Sequence, residues 1–164
     1  MIGSIQKNKT IYRWILGILI ILWCLLIFFM SSETADLSSE RSGGITKRVI
    51  RFLLSIFGID ESTPQLYDKL EFLIRKAAHV FLYFVLAILS SLFVYTYKLS
   101  FVYRYISSFV FCVCYATSDE IHQLFVEGRS GSIKDVLIDS IGIILGILLI
   151  RLVCHAYKSR KILK

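Results

Sequence analysis

Arg75, His79 and Tyr83 stand four residues apart, with Lys76 beside the first of them. On a helix the three share one face and present a guanidinium, a titratable ring and a phenol to whatever lies opposite. A second group follows in Asp119-Glu120-Ile121-His122-Gln123, where a helix would put Asp119 and Gln123 on one face and Glu120 about 100° away. A third is Asp135 and Asp139, continued by Gly142 and Gly146 on the same stripe, with Arg129 in the preceding loop. A site built from Arg, Lys, His and paired carboxylates can bind an oxyanion through its cations. It can also hold one carboxyl at a raised pKa, as general acid catalysis requires. Glu120, His79 and Asp119 are the candidate acid–base groups. Arg75, Lys76, Tyr83, Gln123, Arg129, Asp135 and Asp139 are the candidate ligand-binding set.

Each group also has a plainer reading. His79 could simply bond a neighbouring helix, and the carboxylates could be structural ion pairs with Arg75, Lys76 or Arg129. His79 and His122 lie on different segments and no H-e-x-x-H pattern occurs, so no metal is expected and no cofactor is implied. Ser31, Ser32 and Ser118 lack the sequence of a nucleophile elbow.

The elements that must position these groups are membrane helices. The chain is 56% hydrophobic, with a mean hydropathy of +0.69, outside the range of ordinary soluble domains. Four apolar stretches, at about 13–32, 77–97, 99–118 and 136–153, approach the ~20 residues that cross a bilayer. The expected fold is an all-α integral membrane protein, a single domain over 1–164. It is a four-transmembrane-helix bundle with a short amphipathic interfacial helix, at about 45–57, on the outer face.

Charge orients it. Lys7, Lys9, Arg13, Lys98, Arg104, Arg151, Lys158, Arg160, Lys161 and Lys164 fall on one side of the four stretches with no acidic residue among them. All 12 Asp and Glu fall on the other side, with the remaining nine Lys and Arg. An excess of Lys and Arg marks the cytoplasmic side, so both termini are expected inside and 31–76 and 118–135 outside. The net charge of +7 is then mostly this orientation signal and argues against nucleic acid as a partner. The basic first segment precedes an apolar run longer than a usual signal-peptide core, and reads as an uncleaved first helix.

Between the first two stretches, Ile45, Val49, Phe52, Leu53 and Ile56 recur at helical spacing, opposite Lys47, Arg48, Arg51 and Ser55. That pattern predicts a basic amphipathic helix in the outer interface or across the top of the bundle. Thr63-Pro64 reads as an N-cap and first helical position. A helix from there to about 97 would be roughly 50 Å long, more than a bilayer is thick. The loop 125–132 contains Gly128 and Gly131, and Ser132 three residues before Asp135 reads as the cap of the last helix. Gly142-x-x-x-Gly146 allows another helix to approach closely, and its stripe must face the bundle because Asp139 facing lipid would be costly. Cys24, Cys112, Cys114 and Cys154 read as small apolar residues.

Taken together, these motifs resemble the VanZ-like membrane-protein family over most of the chain. Phe29-Met30-Ser31-Ser32 is similar to the family's serine motif, and Arg75-Lys76-Ala77-Ala78-His79 with Tyr83 to its R-K-x-x-H element. Asp119-Glu120-Ile121-His122-Gln123-Leu124-Phe125, Gly128-Arg129, Asp135, Asp139 and Gly142 resemble its D-E-x-x-Q-x-F, G-R, D and G block. Glu127 stands where the family commonly has proline, a departure that loosens the turn without removing a charged group. The resemblance implies a bacterial plasma-membrane protein of the cell envelope linked to glycopeptide (teicoplanin) resistance, without fixing a biochemical activity.

Two functions are then in view. The first is an envelope factor whose outward-facing polar pocket binds membrane lipids, a lipid-linked cell-wall precursor or an anionic surface polymer. The alternative is an intramembrane acid/base enzyme acting on a lipid head group or lipid-linked precursor, with Glu120 or Asp119 paired to His79. A transporter is disfavoured, because no ionisable residue lies near the midplane to continue a path.

The topology is tested by cysteines introduced at Ser38 and Ser130, which are expected to react with an impermeant thiol reagent in intact cells. Protection of both, with labelling of a cysteine at Ser159, would invert it.

Overall fold

The computed structural model describes residues 2–32, 48–52, 54–56, 64–129 and 131–162. Its long helices are α1 (Ile2–Ser32), α2 (Pro64–Tyr95), α3 (Phe101–Gln123) and α4 (Ile133–Ile162), and the described residues contain no strand. Three segments are long and apolar enough to cross a membrane: Lys9–Ser32, Lys69–Tyr95 and Ile133–Tyr157. Helix α3 is 23 residues long and carries Arg104 and several Ser and Thr, so it is more polar than the other three. The helices overrun the apolar stretches on which they were expected. Chain ends rich in Lys and Arg do not stop a helix, because both residues are good helix formers.

Helix α4 packs most extensively on α2. The reason lies in the glycines. A Cβ added at Gly142 would overlap the carbonyl oxygen of Val80, and one at Gly146 would stand 2.5 Å from that of Phe84. The G-x-x-x-G stripe therefore faces the bundle, as the sequence requires, and removes the side chains that would hold the two backbones apart. Residue numbers rise together along the contact, from Val80 with Gly142 to Phe84 with Gly146, so α2 and α4 run parallel. Ile143, Ile147, Leu82, Leu86, Ala87, Cys112 and Ala116 fill the core beside this contact.

Helix α1 lies on the outside of the α2–α3 pair. Ile27 and Ser31 are buried while Trp14, Ile21 and Phe29 are exposed. It is fastened by polar side chains that reach backbone carbonyls. Trp23 Nε1 donates to Leu82 O at 2.9 Å, Tyr115 OH donates to Cys24 O, and Arg13 Nη2 donates to Thr96 O at 2.9 Å. The last of these satisfies a carbonyl at the end of α2 that has no partner within the helix. Arg13 also lies over the Tyr97 ring, with 4.2 Å to its centroid.

The turn into α4 follows the sequence reading. Gly128 has φ 75°, a left-handed backbone that favours glycine. Lys134 N donates to Ser132 Oγ at 3.2 Å, the N-cap bond, and Asp135 sits in the first turn. Residues 48–52 and 54–56 are helical. Ile50 and Leu54 are buried, while Val49, Phe52 and Ile56 are exposed along with Arg48. Its apolar residues thus divide into a buried pair and an exposed set. Ile45, Lys47, Leu53, Gly58 and Thr63 lie outside the described residues.

Gly146→Leu is expected to cost more than the roughly 1–3 kcal/mol of ordinary overpacking, because the obstacle is backbone. Leu145→Ile, at a half-exposed neighbouring position, is expected to stay under about 1.5 kcal/mol. Folded yield and melting in detergent read the difference, and equal effects would remove the role of the glycine stripe.

Candidate functional site

The polar residues meet where α1 and α3 end and α4 begins. They form two layers. The inner layer is buried. Ser31 Oγ at the end of α1 donates to Asp119 Oδ2 at 2.8 Å, and Gln123 Nε2 donates to the same oxygen at 3.2 Å. The second bond is the i, i+4 pair that the sequence offers once α3 runs to Gln123. Asp119 is 4% exposed, and Tyr83 is fully buried with Asp119 and Asp139 as the nearest charges acting on it. The Tyr83 hydroxyl interacts with the Asp119 carboxylate, but neither it nor Asp119 Oδ1 makes a hydrogen bond of good geometry among the described residues.

The second layer lines a cavity of about 300 Å³ between α2, the end of α3, the following loop and α4. Arg75, Lys76 and His79 come from α2, Glu120 and Gln123 from α3, Arg129 from the loop, and Asp135 and Asp139 from α4. Of the residues chosen from sequence, only Tyr83 and Asp119 do not line it. They sit in the buried layer, where Asp119 ties α3 to α1 through Ser31. Ser132, Lys134 and Phe72 line the cavity and were not chosen. For Ser132, its role as an N-cap was the available signal.

Side-chain partners distinguish the members. Lys76 Nζ pairs with Asp135 Oδ1, both largely buried. Arg75 reaches Glu71 at 3.7 Å, one turn back on its own helix and more open to solvent. Arg129 Nη2 donates to Met30 O at 3.3 Å, which ties the loop to the end of α1. Glu120 Oε2 accepts from Ser132 N at 2.9 Å, and Oε1 from Gln123 Nε2 at 3.4 Å. Two adjacent carboxylates at a helix C-terminus are disfavoured by the dipole, and here neutral donors hold them. Burial pushes the Glu120 carboxyl above its ordinary range, the Ser132 N–H lowers it, and Asp135 raises it further. A carboxyl so placed can give or take a proton nearer neutral pH than a free one.

His122 belongs to neither layer. Its Nε2 lies 3.0 Å from Ser32 Oγ and its ring stacks on Phe28, 4.5 Å between centroids. Ser32 Oγ also donates to Phe28 O, the usual bond of a serine in a helix. Among the described residues no group of three or more His, Cys, Asp and Glu is close enough to hold a metal ion.

A model of the VanZ/LLP1 family matches residues 16–154, most of the chain. The chain belongs to the VanZ/LLP1 family. The match spans all four long helices and both polar layers. With its three apolar helices of membrane-crossing length, the chain is a VanZ-like membrane protein. No curated protein and no solved structure matches it.

The Lys76–Asp135 pair is expected to couple α2 to α4. Lys76→Met and Asp135→Asn should each destabilise, since each leaves the other charge unpaired at low solvent exposure. The double variant should recover roughly 0.5–3 kcal/mol of the summed loss. Unfolding in detergent measures the cycle, and strict additivity would contradict the coupling.

Proposed function

We propose that this VanZ-like cell-envelope protein crosses the bacterial plasma membrane four times, with both termini cytoplasmic. Its cavity opens to the outer face and binds the charged group of a lipid-linked molecule or an anionic surface polymer. In doing so it lowers the access of glycopeptides of the teicoplanin type. The observation that carries this reading is the convergence of Arg75, Lys76, His79, Glu120, Arg129, Asp135 and Asp139 on one cavity. Charges so near a hydrocarbon boundary are expensive, and function is the usual reason they are kept.

The parallel run of α2 and α4 supports four passes, because the chain between them must return across the same distance. Helix α3, about 35 Å long, is the segment that does so. Its Tyr115 and Asp119 meet Cys24 and Ser31 of α1 in the same order along both helices. The exposed Phe52 and Ile56, flanked by Arg48, suit a short helix resting in the outer head-group region.

A second reading is favoured by Glu120 and His79 lining the same cavity. In it, the protein is an acid/base enzyme on a lipid head group or lipid-linked cell-wall precursor. Glu120 moves the proton, His79 is its partner and Asp119 orients the pair from behind. Lipid profiles of cells with and without the protein separate the two. A changed lipid species supports the enzyme, and an unchanged profile with altered antibiotic binding supports the envelope factor.

Glu120→Gln keeps the shape and the acceptor for Ser132 N while removing the charge and the titration. If the site is catalytic, this change is expected to abolish resistance with membrane abundance near normal; if Glu120 is only structural, abundance falls together with resistance. A stable Glu120→Gln protein with full activity would remove Glu120 from the function.

A further inference from the structure

Asp139 is 2% exposed, lines the cavity, and has an oxygen, Oδ2, with no hydrogen-bond partner among the described residues. A buried carboxylate oxygen without a donor bears its desolvation cost uncompensated. The backbone offers no relief. One turn further along α4, Gly142 brings the Val80 carbonyl, another acceptor, against the helix. Asp139 Oδ2 is therefore an unpartnered acceptor among the residues that line the cavity.

Its rim presents cations. Lys76 is paired at the level of Asp135, one turn or ~6 Å along α4 from Asp139. Arg75, Arg129 and Lys134 line the same cavity. Four cationic side chains and three carboxylates thus face one space, at two depths. A simple anion would meet the rim and leave Asp139 without a donor. A simple cation would meet Asp139 and be repelled by the rim.

We propose that the cavity takes a bipolar head group of the phosphoethanolamine kind, its phosphate against the rim cations and its primary ammonium donating to Asp139. This rests on the reading that the cavity binds a charged surface group, and it names the chemistry of that group. The ammonium must carry N–H donors, because the unpartnered oxygen requires a hydrogen bond as well as a charge.

The purified full-length protein in detergent is titrated with three soluble probes, glycerophosphoethanolamine, glycerophosphocholine and glycerophosphoglycerol, and its thermal unfolding is followed. The first two carry the same charges and differ in whether the nitrogen has protons. The ethanolamine form is expected to bind roughly tenfold or more tighter than the other two. Asp139→Asn should bring the three together. The same comparison in nanodiscs containing phosphatidylethanolamine or phosphatidylcholine distinguishes the sources: a preference in nanodiscs alone assigns the group to an intact lipid, and one in both formats to the head group itself. Equal binding of the ethanolamine and choline forms by the wild-type protein overturns the ammonium assignment and leaves the phosphate-binding cavity standing. Absence of binding by all three probes and both lipids overturns the cavity reading as well.

Discussion

The contact on which the rest depends is the approach of α4 to α2 at Gly142 and Gly146. Two parallel helices carrying charged residues at the same end would ordinarily be separated by side chains. Here the missing side chains let the Val80 and Phe84 carbonyls sit against α4. The approach brings Asp135 to Lys76 and lets Asp139 share a cavity with His79. Hydrocarbon gives no hydrophobic drive between helices, so close packing of this kind and interhelical polar bonds supply the association. The site is therefore a consequence of the packing, and a bulky residue in the stripe would dismantle both.

The two polar layers divide the work. Ser31, Asp119, Gln123 and Tyr83 form a buried knot that joins α1 to α3 and backs the cavity, and neutral donors satisfy part of it. Partly satisfied buried networks are costly, and the Tyr83 hydroxyl and Asp119 Oδ1, which lack a bond of good geometry, lie within this one. In front of it, Glu120 is held by the Ser132 N–H at the start of α4. The same loop delivers Arg129 to the end of α1. One carboxylate thus reports the position of α4, and one arginine ties the loop to α1. Movement of either helix end would change the shape of the cavity.

Much of this was legible in the residues, because periodicity and burial are linked. The i, i+4 spacing of Asp119 with Gln123 and of Asp135 with Asp139, and the G-x-x-x-G below, predict shared faces that the structure contains. The distinction between lining and backing residues was not legible. Tyr83 follows His79 by one turn, but where α2 enters the core a side chain on that face is buried instead of bordering the cavity. Nor does the sequence reveal that Glu120 accepts from the backbone N–H of Ser132, since that depends on where the start of α4 comes to lie against the end of α3. In the segment around Phe52 the apolar residues differ in burial, Ile50 and Leu54 being buried and Phe52 and Ile56 exposed, a difference that periodicity alone does not express.

The most direct test of the account is native mass spectrometry of the protein extracted from its own membrane in mild detergent, wild type against Arg75→Ala/Lys134→Ala. The account predicts a phosphate-bearing adduct of defined mass on the wild-type protein. That adduct should be lost from a variant that remains folded. A wild-type protein free of such an adduct, or an adduct retained by the folded variant, would contradict the claim that this cavity holds a charged envelope group.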